Sequence, residues 1–210
     1  RTLRRGMIRG LHFQADPKPE IKLIRCGAGA VHDVVVEEVQ ERFPSARVIL
    51  GAENFYDAQL SRRLDAHEVP GIAGSDVFLL EFPPSIDERT FRTALFRIQT
   101  EGYVPILAHV ERYLRLDDRI LANLADELAM QVNLTSFVKD AQNADQYARA
   151  VRYVEKGLIR LFATDMHSVH MLPRVTEAMA WIRGHFGDAV LDQALGSTPR
   201  RLLRDWVRLP

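Results

Sequence analysis

A single cysteine, Cys26, stands among the 210 residues, which excludes an internal disulfide framework and suits a reducing cytoplasm. An excess of one charge is missing too. With 28 Lys and Arg against 28 Asp and Glu, the formal net charge is +0, so the electrostatic footprint of a dedicated nucleic-acid binder is absent. No apolar run approaches the roughly 20 residues a membrane-spanning helix needs, and no signal peptide is visible, so membrane insertion is not expected. P-loop, Gly-x-Gly-x-x-Gly and Gly-x-Ser-x-Gly signatures are lacking. Cys26 is followed six positions later by His32, so the Cys-x5-Arg loop of thiol-based phosphatases is lacking as well. Only 12 Gly and 10 Pro occur, without repeats or low-complexity linkers.

The composition that remains, 47% hydrophobic and 27% charged, is that of a globular chain long enough for one domain over residues 1–210. Its organisation is visible in short apolar runs that end abruptly in polar residues. Ala46 to Gly51 leads into Ala52-Glu53-Asn54, and Val77 to Leu80 into Glu81. Val104 to Ala108 delivers His109, Glu111 and Arg112, and Met130 to Val132 delivers Asn133. Leu161 to Ala163 delivers Asp165 and His167. Each run has the length and composition of a buried strand.

Helical patterns lie between the runs, over Val31 to Arg42, 57–68, 86–101 with Phe91, Leu95, Phe96 and Ile98 inward, Asp118 to Leu128, and Ala144 to Lys156. Two or three more follow Arg174, with Thr198-Pro199 as a helix start. Alternation of this kind implies parallel strands joined by crossover helices, an α/β fold. In such folds, residues just past the strand ends gather at one rim. Glu53, Glu81, His109, Asn133, Asp165 and His167 are expected to converge there.

Asp165 and His167, two apart on an extended backbone, would project the same way as half of a metal site, or instead form an Asp–His hydrogen bond at a strand end. Carboxylates and imidazoles without a thiolate suit divalent Mn, Fe or Zn, and a two-metal centre activates water while neutralising phosphoryl or acyl oxygen charge. Arg112 offers a planar cationic fork for phosphate; its alternative is a salt bridge to Glu111 or Asp117. His12, between Leu11 and Phe13 at the end of the weak apolar run Met7 to Leu11, is read as a core or surface histidine. Asp65 and His67, two apart in a helical segment, do not face each other and are expected to be surface residues.

Gly51-Ala-Glu53, Leu80-Glu81-Phe82-Pro83, Pro105-Ile-Leu-Ala-His109-Val-Glu-Arg112-Tyr113, Gln131-Val-Asn133 and Ala163-Thr-Asp165-Met-His167 resemble the successive motifs of the polymerase-and-histidinol-phosphatase (PHP) superfamily. The nearest branch is the bacterial manganese-dependent protein-tyrosine phosphatases of capsule and exopolysaccharide loci. The resemblance, over about residues 46–203, implies a distorted (β/α)7 barrel of PHP type and a multinuclear metal site. By position it makes Glu53, Glu81, His109 and Asp165 metal ligands, with His167 completing the site, Arg112 holding the phosphate, and His12 matching a further histidine. The family's N-terminal His-x-His pair does not occur in these residues, and Val110 stands where the family has proline; the expectation is a barrel whose first strand precedes Arg1.

The implied activity is cytoplasmic hydrolysis of phosphotyrosine on a protein, a tyrosine kinase controlling polysaccharide export, by water attack on phosphorus and loss of the phenolate. A small-molecule phosphomonoesterase and a metal-poor, non-catalytic phosphoprotein-binding regulator are the alternatives.

Overall fold

The computed structural model describes residues 21–25, 41, 47–166 and 168–206. His12, Cys26, His167, the run Met7 to Leu11 and, apart from Glu41, the expected helix over Val31 to Arg42 lie outside the described residues. Among those described, the chain begins with β1 (Ile21–Arg25), a strand not foreseen in the basic front segment, paired in parallel with β2 (Arg47–Gly51). After Ala52 come β3 (Glu53–Phe55) and α1 (Ala58–Asp65), then β4 (Val77–Glu81) and α2 (Glu88–Thr100). Next are β5 (Val104–Leu107), α3 (Asp118–Ala122), β6 (Ala129–Asn133), α4 (Ala144–Glu155) and β7 (Leu161–Ala163). Helices α5 (Leu172–Phe186), α6 (Asp188–Asp192) and α7 (Thr198–Trp206) follow.

Strands β3-β4-β5-β6-β7 form one sheet in sequence order with every pairing parallel. Each strand therefore lies beside the next one in the chain, and all their C-terminal ends share one edge. The helices start where the sequence supplies acceptors for their free N–H groups. Asp57 caps α1 through Gln59 and Leu60, Asp87 caps α2 through Thr90, and Asp117 caps α3 through Ile120. Gly102 and Gly157, at φ of 86° and 68°, follow α2 and α4 and allow the chain to turn back.

The two faces of the sheet bury different things. Phe78, Leu80, Leu107, Val132 and Phe162 join one large core with Phe91 and Ile98 of α2, Tyr153 of α4 and Ile182 of α5. The alternate residues, Ile49, Val77, Ile106 and Leu161, with Leu79, Val104 and Ala129, make a second, smaller cluster. Its members come from β2, β4, β5, β6 and β7 and, with Ile72, from the helical turn before β4, and Leu202 of α7 packs against it.

Two expectations need correction. Phe96 is 73% exposed; two residues from both Ala94 and Ile98, it points away from the face those residues bury. Helix α3 stops at Ala122 instead of reaching Leu128, because Leu124 and Ala125 bond to carbonyls only three residues back.

Candidate metal centre

Side-chain alternation carries the small inner cluster upward into the site. Val77, Leu79 and Glu81 lie on one face of β4, so an apolar column ends in a carboxylate at the C-terminal edge. Glu53 is in register with Leu79 and shares that face. On β6 the same column runs Ala129, Gln131, Asn133.

Beyond β5 the chain turns sharply. His109 takes a left-handed conformation, φ 36°, immediately before the helical turn Val110–Arg112. For a residue other than glycine this backbone is uncommon and is held by its surroundings. Part of the enforcement is Tyr113, fully buried, whose hydroxyl donates to Ala108 O at 2.9 Å and accepts from Phe82 N at 3.2 Å. One phenol thus ties together the residues adjacent to His109 and Glu81, and burial raises its pKa.

The ring that results is held among carboxylates. His109 Nε2 lies 2.8 Å from Glu53 Oε1 and 3.5 Å from Glu81 Oε1. One ligating atom from each of the three residues falls within 4.8 Å of the others. The side chains of Glu53 and His109 are only 5% and 3% exposed. Two carboxylates this close, Glu53 buried and Glu81 partly buried, repel each other, and a cation between them would offset that repulsion. One imidazole and two carboxylates are a donor set for a divalent ion of the Mn, Fe or Zn kind. His109 Nδ1 is buried with no partner among the described residues.

A second cluster lies past β6 and β7. Asp165 Oδ2 accepts from Arg112 Nη2 at 3.0 Å and from Asn133 Nδ2 at 2.9 Å. Arg112 therefore pairs with Asp165, and neither Glu111 nor Asp117 is its partner. Strand β7 ends at Ala163 and Asp165 has φ 45°, so a left-handed turn aims its carboxylate, not the strand alternation expected for Asp165 and His167. Glu111 is wholly buried; Oε1 accepts from Asn133 N at 3.2 Å and Ser136 Oγ at 2.8 Å. Burial raises its pKa against the opposing effect of the Ser136 hydrogen bond, and Oε2 has no partner among the described residues.

Of the six residues expected at the rim, Glu53, Glu81 and His109 come together in one cluster and Asn133 and Asp165, joined by Arg112, in the other, while His167 lies outside the described residues. Asp65 and His67 are apart: Asp65 pairs with Arg97, and His67 is 68% exposed beside Glu101. Sequence reading gave no role to Tyr113 or Ser136. Tyr113 stood inside a quoted motif, but only the fold brings Ser136 to Glu111.

Comparison with known proteins follows the same lines. The family model described as capsular polysaccharide synthesis, CpsB/CapC, matches residues 7–204. Tyrosine-protein phosphatase CpsB of Streptococcus pneumoniae is 27% identical over 179 residues, covering 81% of this chain and 74% of that protein. The protein of the same name from Streptococcus agalactiae is 24% identical over 180 residues, covering 82% and 74%. A chain from the crystal structures of YwqE from Bacillus subtilis and CpsB from Streptococcus pneumoniae, metal-dependent tyrosine phosphatases, superposes with a TM-score of 0.65. It is 23% identical, with 82% of this chain and 72% of that one covered.

Proposed function

From the chain's membership of the CpsB/CapC capsular polysaccharide synthesis family, we propose that it is a metal-dependent protein-tyrosine phosphatase. The observation that carries this reading is the triad of Glu53, Glu81 and His109, the first and last of them buried, with one ligating atom of each within 4.8 Å of the others. We assign Glu53, Glu81, His109 and Asp165 to the metals, with His167 and His12 completing the set, and manganese as the ion. A divalent cation held there supplies a Lewis acid that lowers the pKa of water and neutralises charge on a phosphoryl oxygen.

The chain's own residues do the rest. Arg112, carried three residues beyond His109, presents a permanently charged fork to the phosphate. Its contact with Asp165 fixes the guanidinium next to the metal ligands. Asn133 turns the Asp165 carboxylate, and Glu111 holds the Asn133 backbone. His167 is assigned a catalytic role beside its metal role.

The fold is read as a distorted (β/α)7 barrel in a single domain over residues 1–210. Sequential parallel pairing supports this, as does an inner cluster that includes both Ile49 of β2 and Leu161 of β7. No helix among the described residues is long and apolar enough to cross a membrane. We place the protein in the cytoplasm, acting on a tyrosine kinase that controls capsule or exopolysaccharide synthesis.

Steady-state rates of the Mn-loaded full-length protein test the reading. A phosphotyrosine peptide should be hydrolysed with a higher kcat/KM than histidinol phosphate. A clear preference for histidinol phosphate would replace the protein phosphatase with a small-molecule phosphomonoesterase. No turnover, with less than about one equivalent of bound metal, would replace it with a binding module.

A further inference from the structure

Strand β3 is three residues long, and its burial runs buried, buried, exposed. Asn54 faces the helix side, where its amide donates to Pro70 O at 3.0 Å and its carbonyl accepts from Arg63. Glu53 and Phe55 therefore share the opposite face, the one that carries the triad. Phe55 is in register with Glu81, as Glu53 is with Leu79. The aromatic ring thus sits one strand step, about 6.6 Å along the backbone, beyond Glu53 and toward the open edge.

Phe55 is 41% exposed. Its neighbour Tyr56 packs on Phe82 with ring centroids 5.0 Å apart, whereas no ring lies against Phe55 among the described residues. An exposed, unstacked aromatic is ordinary on a surface. One that shares a strand face with two candidate metal ligands, one step beyond Glu53 and level with Glu81, is placed beside the path that the leaving group of a bound phosphate ester would take.

Resting on the phosphatase reading above, we propose that Phe55 is the residue that selects aryl over alkyl phosphate esters, packing against the phenyl ring of phosphotyrosine at the mouth of the metal centre. The ring of the ester is joined to phosphorus through a single oxygen and so stays close to the phosphate. Aromatic pairs prefer offset or edge contacts, and their contribution adds to the area buried. A serine or aliphatic phosphate offers no ring to meet it.

The test uses the metal-loaded full-length protein as wild type, Phe55→Ala, Phe55→Trp and Phe96→Ala. Phe96 is the control because it is a more exposed phenylalanine, on the outer face of α2 near the helix end that leads into the start of β5. Rates are measured on phosphotyrosine and phosphoserine peptides, and binding by calorimetry with phenylphosphonate and methylphosphonate, with metal content determined for each variant. Phe55→Ala is expected to raise KM for the phosphotyrosine peptide and Kd for phenylphosphonate by about three- to tenfold. Metal content, kcat, phosphoserine hydrolysis and methylphosphonate binding should stay within about twofold, Phe55→Trp should restore the aryl preference, and Phe96→Ala should match wild type. Equal losses for phenyl and methyl ligands, or no change in either, would overturn the assignment. Absence of turnover by wild type would instead defeat the phosphatase reading, and the phenyl-to-methyl binding ratio would still decide the role of Phe55.

Discussion

The charged side chains at the ends of β3, β4 and β5 face one another, whereas those past β6 and β7 face hydrogen-bond donors. Glu53, Glu81 and His109 place two carboxylates against a single imidazole nitrogen. Asp165 is met by Arg112 and Asn133, and Glu111 by Ser136 and the Asn133 amide. Glu111, wholly buried, and Asp165, partly buried, receive hydrogen-bond donors from the protein, whereas Glu53 and Glu81 converge on one imidazole nitrogen, a grouping that suits a cation. Under the proposed assignment the first half holds the cation, and Asp165 joins it from the second, where Arg112 and Asn133 fix its carboxylate. The turn Val110–Arg112 joins them, with His109 before it serving the triad and Arg112 at its end serving Asp165.

That division orders the expected effects. His109→Ala removes the atom both carboxylates address, and should lower metal content and reduce kcat/KM by more than about a hundredfold. Retained metal and rate would mean that the triad is not the cation site. Arg112→Lys keeps the charge but loses the planar fork. It should reduce kcat/KM on phosphotyrosine about ten- to a hundredfold with metal content unchanged, and a parallel loss of metal would mean that Arg112 acts through Asp165 on the metal and not on the phosphate.

Tyr113→Phe leaves the Phe82 N–H and the Ala108 carbonyl without their shared partner. A loss of about 1–3 kcal/mol in urea unfolding is expected, with metal content kept. An unchanged midpoint would remove Tyr113 as the brace of the His109 turn. The smallest effect is expected far from both halves, at Asp118, which pairs with Arg152 and Lys156. Burial raises its pKa, but the bonds from Arg152 and Lys156 outweigh burial and hold it below its ordinary value. Its contribution is therefore present above the ordinary carboxylate range and lost as pH falls through the lowered folded value. Asp118→Asn should cost less than about 1 kcal/mol at neutral pH and show a shallower loss of stability below pH about 4. An effect as large as that of Tyr113→Phe would contradict the ranking.

The first half was largely legible in the sequence, because a short apolar run broken by Glu or His is both a strand signal and a rim signal. Glu53, Glu81 and His109 needed only parallel pairing to meet. The second half was legible as residue types, not as contacts. Arg112 finds Asp165 fifty-three positions away, and Glu111 finds Ser136 twenty-five positions away; no local pattern encodes such distances. The left-handed backbones of His109 and Asp165 were hidden because neither residue is glycine, and although Asp and His adopt this conformation more often than most, only tertiary packing decides where. Phe96 misled because hydrophobicity alone does not say which face of α2 is buried.

The central claim is that Glu53, Glu81 and His109 together bind the divalent ion. Its most direct test is the metal content of the full-length protein, wild type against His109→Ala, after equilibration with Mn and removal of unbound ion. At least about one equivalent in the wild type and a loss of about one equivalent in the variant is the predicted result. Equal metal content in the two proteins would contradict it.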